Sequence, residues 1–367
     1  MSDKYTVRQF AIMVALFSIG TAILIVPSSM AELARQDAWI AAVIGTGLGL
    51  CLSWLYTVVG KRNQGLTLME MNDKAFGSLA GKIISLTFVF FTFVTTAELV
   101  YFMGQFITIQ ILPGTPMWAV NITCILLVLY SVRLGLVTIA RSADILFLFV
   151  VFFFFILLVA LSPQIHFDNL GPVMAEGPKP VIRASVFYMS IFSLTPVVFL
   201  MFYPSGVNKP DKANRAFVIG AAIGGAVLIL MIFLAIAVLG AQMTEMQVYP
   251  SYSLAKMINV GDFFQRVEVI VATLWFVTIY YKMTILFYVS ATGLTHIFKL
   301  KDYRPLTLPL GMILTILSLI VHPDYDHSDY YNKQIWLPYG GTYGIILPLV
   351  LLAVTSFRRN AKNKGQQ

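Results

Sequence analysis

Two ionisable residues sit where a charge is costly. Glu98 and Lys282 each lie inside a long apolar run, about 15 residues from its start, so both fall near mid-depth if those runs cross a membrane. An intramembrane charge marks function unless it is neutralised in an ion pair that only fixes packing. Glu98 is a candidate proton carrier, a carboxyl placed where water is scarce. Around each charge the polar residues recur at helical spacing. Thr92, Thr95, Glu98 and Gln105 share one face of their run. Tyr281, Thr284, Tyr288, Thr292 and Thr295 share a face of the other, with Lys282 one position off its axis. Such faces must look toward protein or water rather than lipid, either lining a cavity or hydrogen-bonding between helices.

Other chemistry is weakly signalled. His322, Asp324, Asp326, His327 and Asp329 crowd one short stretch. They lack the glycine and closing glutamate of a calcium loop and the ligand spacing of zinc sites, so a hydrated loop is expected and no metal. Cys51 and Cys124 fall inside apolar runs and read as buried thiols rather than a disulfide or metal site. Neither a nucleophilic triad nor a phosphate-binding loop is evident, so no enzyme and no cofactor is expected.

The elements that position these residues are membrane helices. The chain is 58% hydrophobic and 11% charged, with mean hydropathy +0.81, against about 25% charge in a soluble domain. About ten spans can be counted, near 10–34, 38–60, 82–111, 117–138, 142–163, 184–204, 215–241, 266–298, 305–322 and 339–357. With the N-terminus in the cytoplasm, roughly 18 Lys and Arg fall on the inner side and 6 on the outer. This asymmetry accounts for the net charge of +8 without nucleic acid, and it places both termini inside.

The first span is interrupted. Ile19-Gly20-Thr21 and then Pro27 break a stretch that would otherwise cross the bilayer as one helix. In lipid, a broken helix is tolerated where its freed backbone groups face protein or a cavity. The sixth span has a matching flaw at Ser193-Leu194-Thr195-Pro196, with Pro204 beyond it. The second and seventh share glycine faces, Gly45, Gly47, Gly49 and Gly220, Gly224, Gly225; the third and eighth are both long. Five spans per half force opposite orientations, so these coincidences predict an all-α, five-plus-five inverted repeat with discontinuous helices 1 and 6. The first repeat would occupy 1–163 and the second 184–357. An outer surface helix is expected within 241–265, an outer loop at 322–338, and a basic, unstructured cytoplasmic tail at 358–367.

The chain resembles the B subunit of the spore germinant receptors, the transporter-like nutrient sensors of endospore-forming bacteria. The resemblance runs over nearly the whole length. It rests on Ile19-Gly20-Thr21 through Pro27, on Tyr249-Pro250 with Leu254, Ile258, Phe263-Phe264 and Arg266, and on Trp275 and Lys282. That family is related to the amino-acid/polyamine/organocation transporters, with the leucine-transporter-like inverted repeat. The resemblance implies a small nutrient, an amino acid or similar polar molecule, bound mid-membrane by the broken first helix with spans 3, 6 and 8. It also implies A and C partner subunits in the spore inner membrane. The residues carried over as ligand contacts are Gly20, Thr21, Leu194, Thr195, Thr284 and Tyr288, to which Thr95 and Glu98 are added from the polar face of span 3. Lys282 would supply a fixed positive charge where a sodium-coupled relative binds its ion. Span 6 departs from the transporters, having Ser193 to Pro196 where they often have a glycine-rich break and then a polar or acidic residue. A proton-coupled transporter of the same fold is the alternative.

Overall fold

The first crossing consists of two 13-residue helices, α1 (Val7–Ile19) and α2 (Ala22–Ala34). A computed structural model describes residues 4–257 and 267–364, with side chains through Ser356. A capping box starts α1, with the Gln9 N–H donating to Thr6 Oγ1 (3.2 Å) and the Thr6 N–H to Gln9 Oε1 (2.9 Å). Gly20 ends it, at φ +38° and ψ −124°, a conformation that disfavours any side chain. Two side chains satisfy the backbone that the interruption frees. Thr278 Oγ1 donates to the Gly20 carbonyl (3.1 Å). Pro27, which has no N–H, leaves the carbonyl four residues earlier without a helical donor, and Ser251 Oγ donates to that Ile23 oxygen (2.6 Å).

The remaining crossings are α3 (Ala38–Arg62), α5 (Ser78–Phe106), α6 (Met117–Leu134), α7 (Leu136–Leu161), α8 (Pro178–Ser193) continuing as a 3₁₀ helix over Thr195–Met201, α9 (Pro210–Leu234), α12 (Glu268–Ile297) and α13 (Arg304–Ile320). A bent final crossing is assembled from α14 (Tyr325–Tyr330), α15 (Trp336–Gly341) and α16 (Leu347–Lys364) through π-helical turns. Among the described residues, eight helical stretches are long and apolar enough to span a bilayer, one of them joining α2 to α3; α1 and α13 are shorter apolar helices. The breaks divide this material into ten crossings.

Helix pairing carries the inverted repeat. The first crossing packs on the seventh (α1 on α9), the second on the sixth (α3 on α8), and the third on the eighth (α5 on α12). Exchanging each crossing with the one five places along converts the first contact into the second and returns the third to itself. Glycine permits these approaches. A Cβ on Gly49 would lie 2.7 Å from the Phe192 ring, and one on Gly224 2.9 Å from Ser18 Cβ. Gly47 has open space beside it and is not on the packed face. At the centre, Thr92 and Ser290 join α5 to α12 at 2.8 Å.

Several segments differ from the sequence expectation. In place of one surface helix, the described part of 241–265 forms two short ones, α10 (Ala241–Met246) and α11 (Pro250–Lys256), with Ser251, Leu254 and Ala255 buried against the bundle. Ile258 and Gly261 to Arg266 lie outside the described residues. The acidic, aromatic stretch expected as a loop is largely helix. Asp324 caps α14 by accepting from the His327 N–H (2.7 Å). An additional helix, α4 (Leu68–Phe76), lies between the second and third crossings, and α16 runs on to Lys364, past the start of the expected tail. The cysteines are not buried: Cys51 is exposed on the outside of the bundle and Cys124 half-buried, both free. An apolar residue on a lipid-facing surface needs no protein around it, so an apolar run alone does not imply burial in protein.

Candidate functional site

The α1–α2 break opens onto a cavity of about 60 Å³. Thr21 and Ala22, at the N-terminus of α2, form one wall. Thr95, Glu98 and Gln105 come from α5, Phe187 and Ile191 from α8, Thr195 from the 3₁₀ segment after it, and Lys282 from α12. Of the residues singled out by sequence, Thr21, Thr95, Glu98, Thr195 and Lys282 are thus brought together. Gly20, Leu194, Thr284 and Tyr288 do not line the cavity. Gly20 lies behind it, where the Lys282 side chain crosses: a Cβ there would lie 2.6 Å from Lys282 Cδ. Leu194 is buried against Gly340 and Gly344 of the final crossing. Thr284 is buried, and Tyr288 packs on Phe202 and Tyr303.

Glu98 and Lys282 are 4% and 3% exposed. They do not form an ion pair, although each feels the other's charge. Lys282 Nζ sits 5.5 Å from the centre of the Phe17 ring, in the orientation of a cation–π contact. Tyr331 directs its hydroxyl at the Glu98 carboxylate. Three buried polar atoms of lining residues have no hydrogen-bond partner among the described residues: Glu98 Oε1, Thr195 Oγ1 and the Tyr249 hydroxyl. Leaving such groups unpaired costs about 1–3 kcal/mol each, which a polar ligand or water would recover. The α2 N-terminus adds N–H groups with no helical acceptor and the positive end of a helix dipole.

Sequence reasoning passed over the cavity's lid. Tyr325, Ser328, Asp329, Asn332 and Trp336 all line it, at spacings of three, one, three and four. That is one helical face, a signal hidden by the stretch's polarity. The lid is anchored at both ends. Trp336 Nε1 donates to the Ser190 carbonyl of α8 (3.0 Å). Lys333 joins Asp329 (2.6 Å) to Glu32 of α2 (2.5 Å). The polar stripe on α12 serves mainly as interhelical and local bonding: Tyr281 pairs with Ser142 of α7 (2.6 Å), and Thr292 and Thr295 donate to carbonyls of their own helix.

A sequence profile described as "Spore germination protein" matches residues 4–326. The chain belongs to the spore germination protein family. Among its relatives, spore germination protein KB of Bacillus subtilis (strain 168) is 27% identical over 379 residues, covering 99% of this chain and 98% of that one. Spore germination protein YndE of the same strain is 24% identical, with 98% and 99% covered. Spore germination protein XB of Bacillus anthracis is 21% identical, with 95% and 98% covered. The resemblance to the transporter-like germinant-receptor subunit is thereby borne out. A solved structure with the same fold is Mhp1, a nucleobase-cation-symport-1 family transporter in a closed conformation with bromovinylhydantoin bound. Its TM-score is 0.65 at 12% identity, covering 93% of this chain and 78% of that one. The leucine-transporter-like fold of this spore germination protein follows from that likeness.

Proposed function

We propose that this spore germination protein is the nutrient-sensing subunit of a germinant receptor, holding a small amino acid in the cavity beneath α14. The observation that carries this reading is the set of unpartnered polar atoms, Glu98 Oε1, Thr195 Oγ1 and the Tyr249 hydroxyl, in a cavity walled by one buried acid, one buried base and a helix N-terminus. A zwitterion matches that arrangement. Its carboxylate is held by the α2 N-terminus with Lys282 behind it. Its ammonium faces Glu98, and Thr195 and Tyr249 complete the polar shell. The other walls, Ile25, Val26, Leu99, Phe102, Phe187 and Ile191, are apolar. They favour an aliphatic amino acid over a sugar, whose several hydroxyls would lie unpaired against them. Gly20, Leu194, Thr284 and Tyr288 support the site from outside, and residues 1–163 and 184–357 are its two repeats.

Signalling requires that the ligand bind one arrangement of the bundle better than another, because equal affinity for both shifts nothing. The lid and α2 move relative to each other in this scheme, and germinant-receptor A and C subunits in the spore inner membrane read the change. Both termini face the spore core. A proton-coupled amino-acid transporter is the second reading, supported by Glu98 Oε1, which has no hydrogen-bond partner among the described residues, and by the fold shared with a symporter.

The test is paired binding and uptake by the purified protein in liposomes, with a labelled amino-acid and sugar panel, with and without a pH gradient. Saturable aliphatic amino-acid binding without accumulation supports the sensor. Accumulation driven by the gradient replaces it with the transporter. Binding of sugars alone refutes the zwitterion site.

A further inference from the structure

At the end of the bundle away from the lid, two clefts meet on α3. One is lined by Lys61, Arg62 and Lys74, with Asn63, Thr355 and Ser356. The other is lined by Lys61 and Arg215 below an apolar strip of Trp54, Val58, Val218 and Ile219. Lys61 and Val58 belong to both, so the clefts form one surface with four cations around its rim and no carboxylate in its lining. Arg62 also donates to Ser356 Oγ, which ties the α3 end to α16 across the cleft. Trp54 is 64% exposed and Ile219 53% exposed. Trp54 lies two turns from Lys61 on α3, about 10 Å along the axis. The geometry therefore sets an apolar strip at acyl-chain depth directly beside a ring of cations at headgroup depth.

We propose that this surface is a binding site for an anionic phospholipid of the surrounding bilayer, preferentially one with two phosphates such as cardiolipin. One phosphate would lie between Lys61 and Arg215 and the other among Lys61, Arg62 and Lys74. An acyl chain would run along Trp54, Val58, Val218 and Ile219. Two phosphates suit a site whose shared lysine stands between two groups of cations. Basic clefts between membrane helices recruit such headgroups by charge, and the apolar strip distinguishes a lipid from a free anion. Because the site binds α3, α4, α9 and α16 together, its occupancy would restrain the half of the bundle opposite the lid.

The test uses the full chain in nanodiscs of phosphatidylcholine. Cardiolipin with brominated acyl chains is titrated in, and tryptophan quenching is followed. Subtracting the same titration of Trp54→Phe isolates the signal of Trp54. Brominated phosphatidylcholine and inorganic phosphate serve as separate arms. The expected result is saturable quenching by cardiolipin, weakened about fivefold for each of Lys61→Gln, Lys74→Gln and Arg215→Gln. It should be restored by Lys61→Arg and unaffected by Lys179→Gln with Arg183→Gln at the other end. Equal quenching by brominated phosphatidylcholine, or equal loss in the Lys179/Arg183 variant, would overturn the proposal. Full displacement by inorganic phosphate would also overturn it, showing an anion site without lipid selectivity.

Discussion

Replacing Gly20 with alanine should damage the protein in two separable ways. The first is backbone strain. At φ +38° and ψ −124° a side chain costs about 1–3 kcal/mol, and the new Cβ would lie 2.9 Å from the Phe17 carbonyl oxygen, which the last turn of α1 holds in place. The second is eviction of Lys282, whose Cδ lies 2.6 Å from the same point. The lysine must swing aside, taking its charge from the cavity wall and its ammonium from Phe17. A double-mutant cycle separates the effects. In a Lys282→Ala background only the backbone cost remains, so the double variant should be less destabilised than the sum of the singles by about 0.5–3 kcal/mol. Equilibrium unfolding in mixed micelles gives the stabilities, and ligand titration in parallel gives the affinities. Gly20→Ala should also approach Lys282→Ala in ligand affinity, since both displace the same ammonium. Additivity within about 0.5 kcal/mol would refute the crossing of Lys282 over Gly20 and, with it, the account of why the first helix breaks there.

Ser251→Ala removes the side-chain donor to the Ile23 carbonyl that Pro27 leaves free, and should cost about 1–3 kcal/mol in the same unfolding assay; an unchanged midpoint would mean that the carbonyl has another donor. Lys333→Met cuts the tie between Glu32 of α2 and Asp329 of the lid. It should speed ligand dissociation in stopped flow by about two- to tenfold, the scale of partly exposed ion pairs, and an unaltered rate would exclude the tie from lid opening. His322, in the connection between α13 and α14, is pushed down from 6.5 to about 4 by burial and by the neighbouring His327. The unfolded chain therefore binds the extra proton first as pH falls, so stability is full above pH 6.5 and is lost progressively between there and about 4. His322→Gln should flatten that dependence, and an identical pH profile would remove His322 as its cause. Glu98→Gln should weaken amino-acid binding by about tenfold or more, because it removes the charge facing the ammonium, and should abolish any gradient-driven uptake; unchanged binding would remove Glu98 as the ammonium's partner, and uptake that persists would show that protons are carried elsewhere.

The parts of the fold legible in the sequence were those dictated by cost. A glycine and a proline in one membrane helix, a buried acid and a buried base, and glycine faces on matched spans each violate a local preference, and each has a structural reason here: Gly20 beneath Lys282, Pro27 opposite Ser251, Gly49 against Phe192. Features that violate nothing were harder to read. The face that runs from α14 to the start of α15 looks like an ordinary polar connection, because most of its residues are polar whether they meet solvent or a ligand. Only the recurrence of Tyr325, Ser328, Asp329, Asn332 and Trp336 separates the two. The resemblance implies Thr284 and Tyr288 as ligand contacts, and both lie on the polar face of α12, but the rotation of α12 sends that face partly toward α7 through Tyr281 and Ser142. Periodicity identifies which residues share a face. It does not say which neighbour the face meets.

That distinction bears on sensing. The cavity draws its deep charges from α5 and α12, the pair that maps onto itself under the inverted repeat, and its mouth from α2 and α14. The deep pair is joined through buried hydroxyls at Thr92 and Ser290 and is well suited to stay fixed. The mouth is joined chiefly by one lysine between two partly exposed carboxylates, a connection weak enough to open. In the proposed site, a ligand held at one end by Glu98 and Lys282 and covered at the other by Asp329 and Asn332 would contact a rigid part and a movable part at once. Differential affinity for the two positions of the lid needs only that the lid contacts exist in one of them. Such an arrangement can report occupancy without completing a transport cycle, provided the opposite end stays closed. The α3–α16 contact between Arg62 and Ser356 lies at that end. Loosening it by Ser356→Ala in the liposome assay should turn binding without accumulation into slow leak of ligand; if the far end is already free to open, uptake will be present in the unaltered protein and unchanged in the variant.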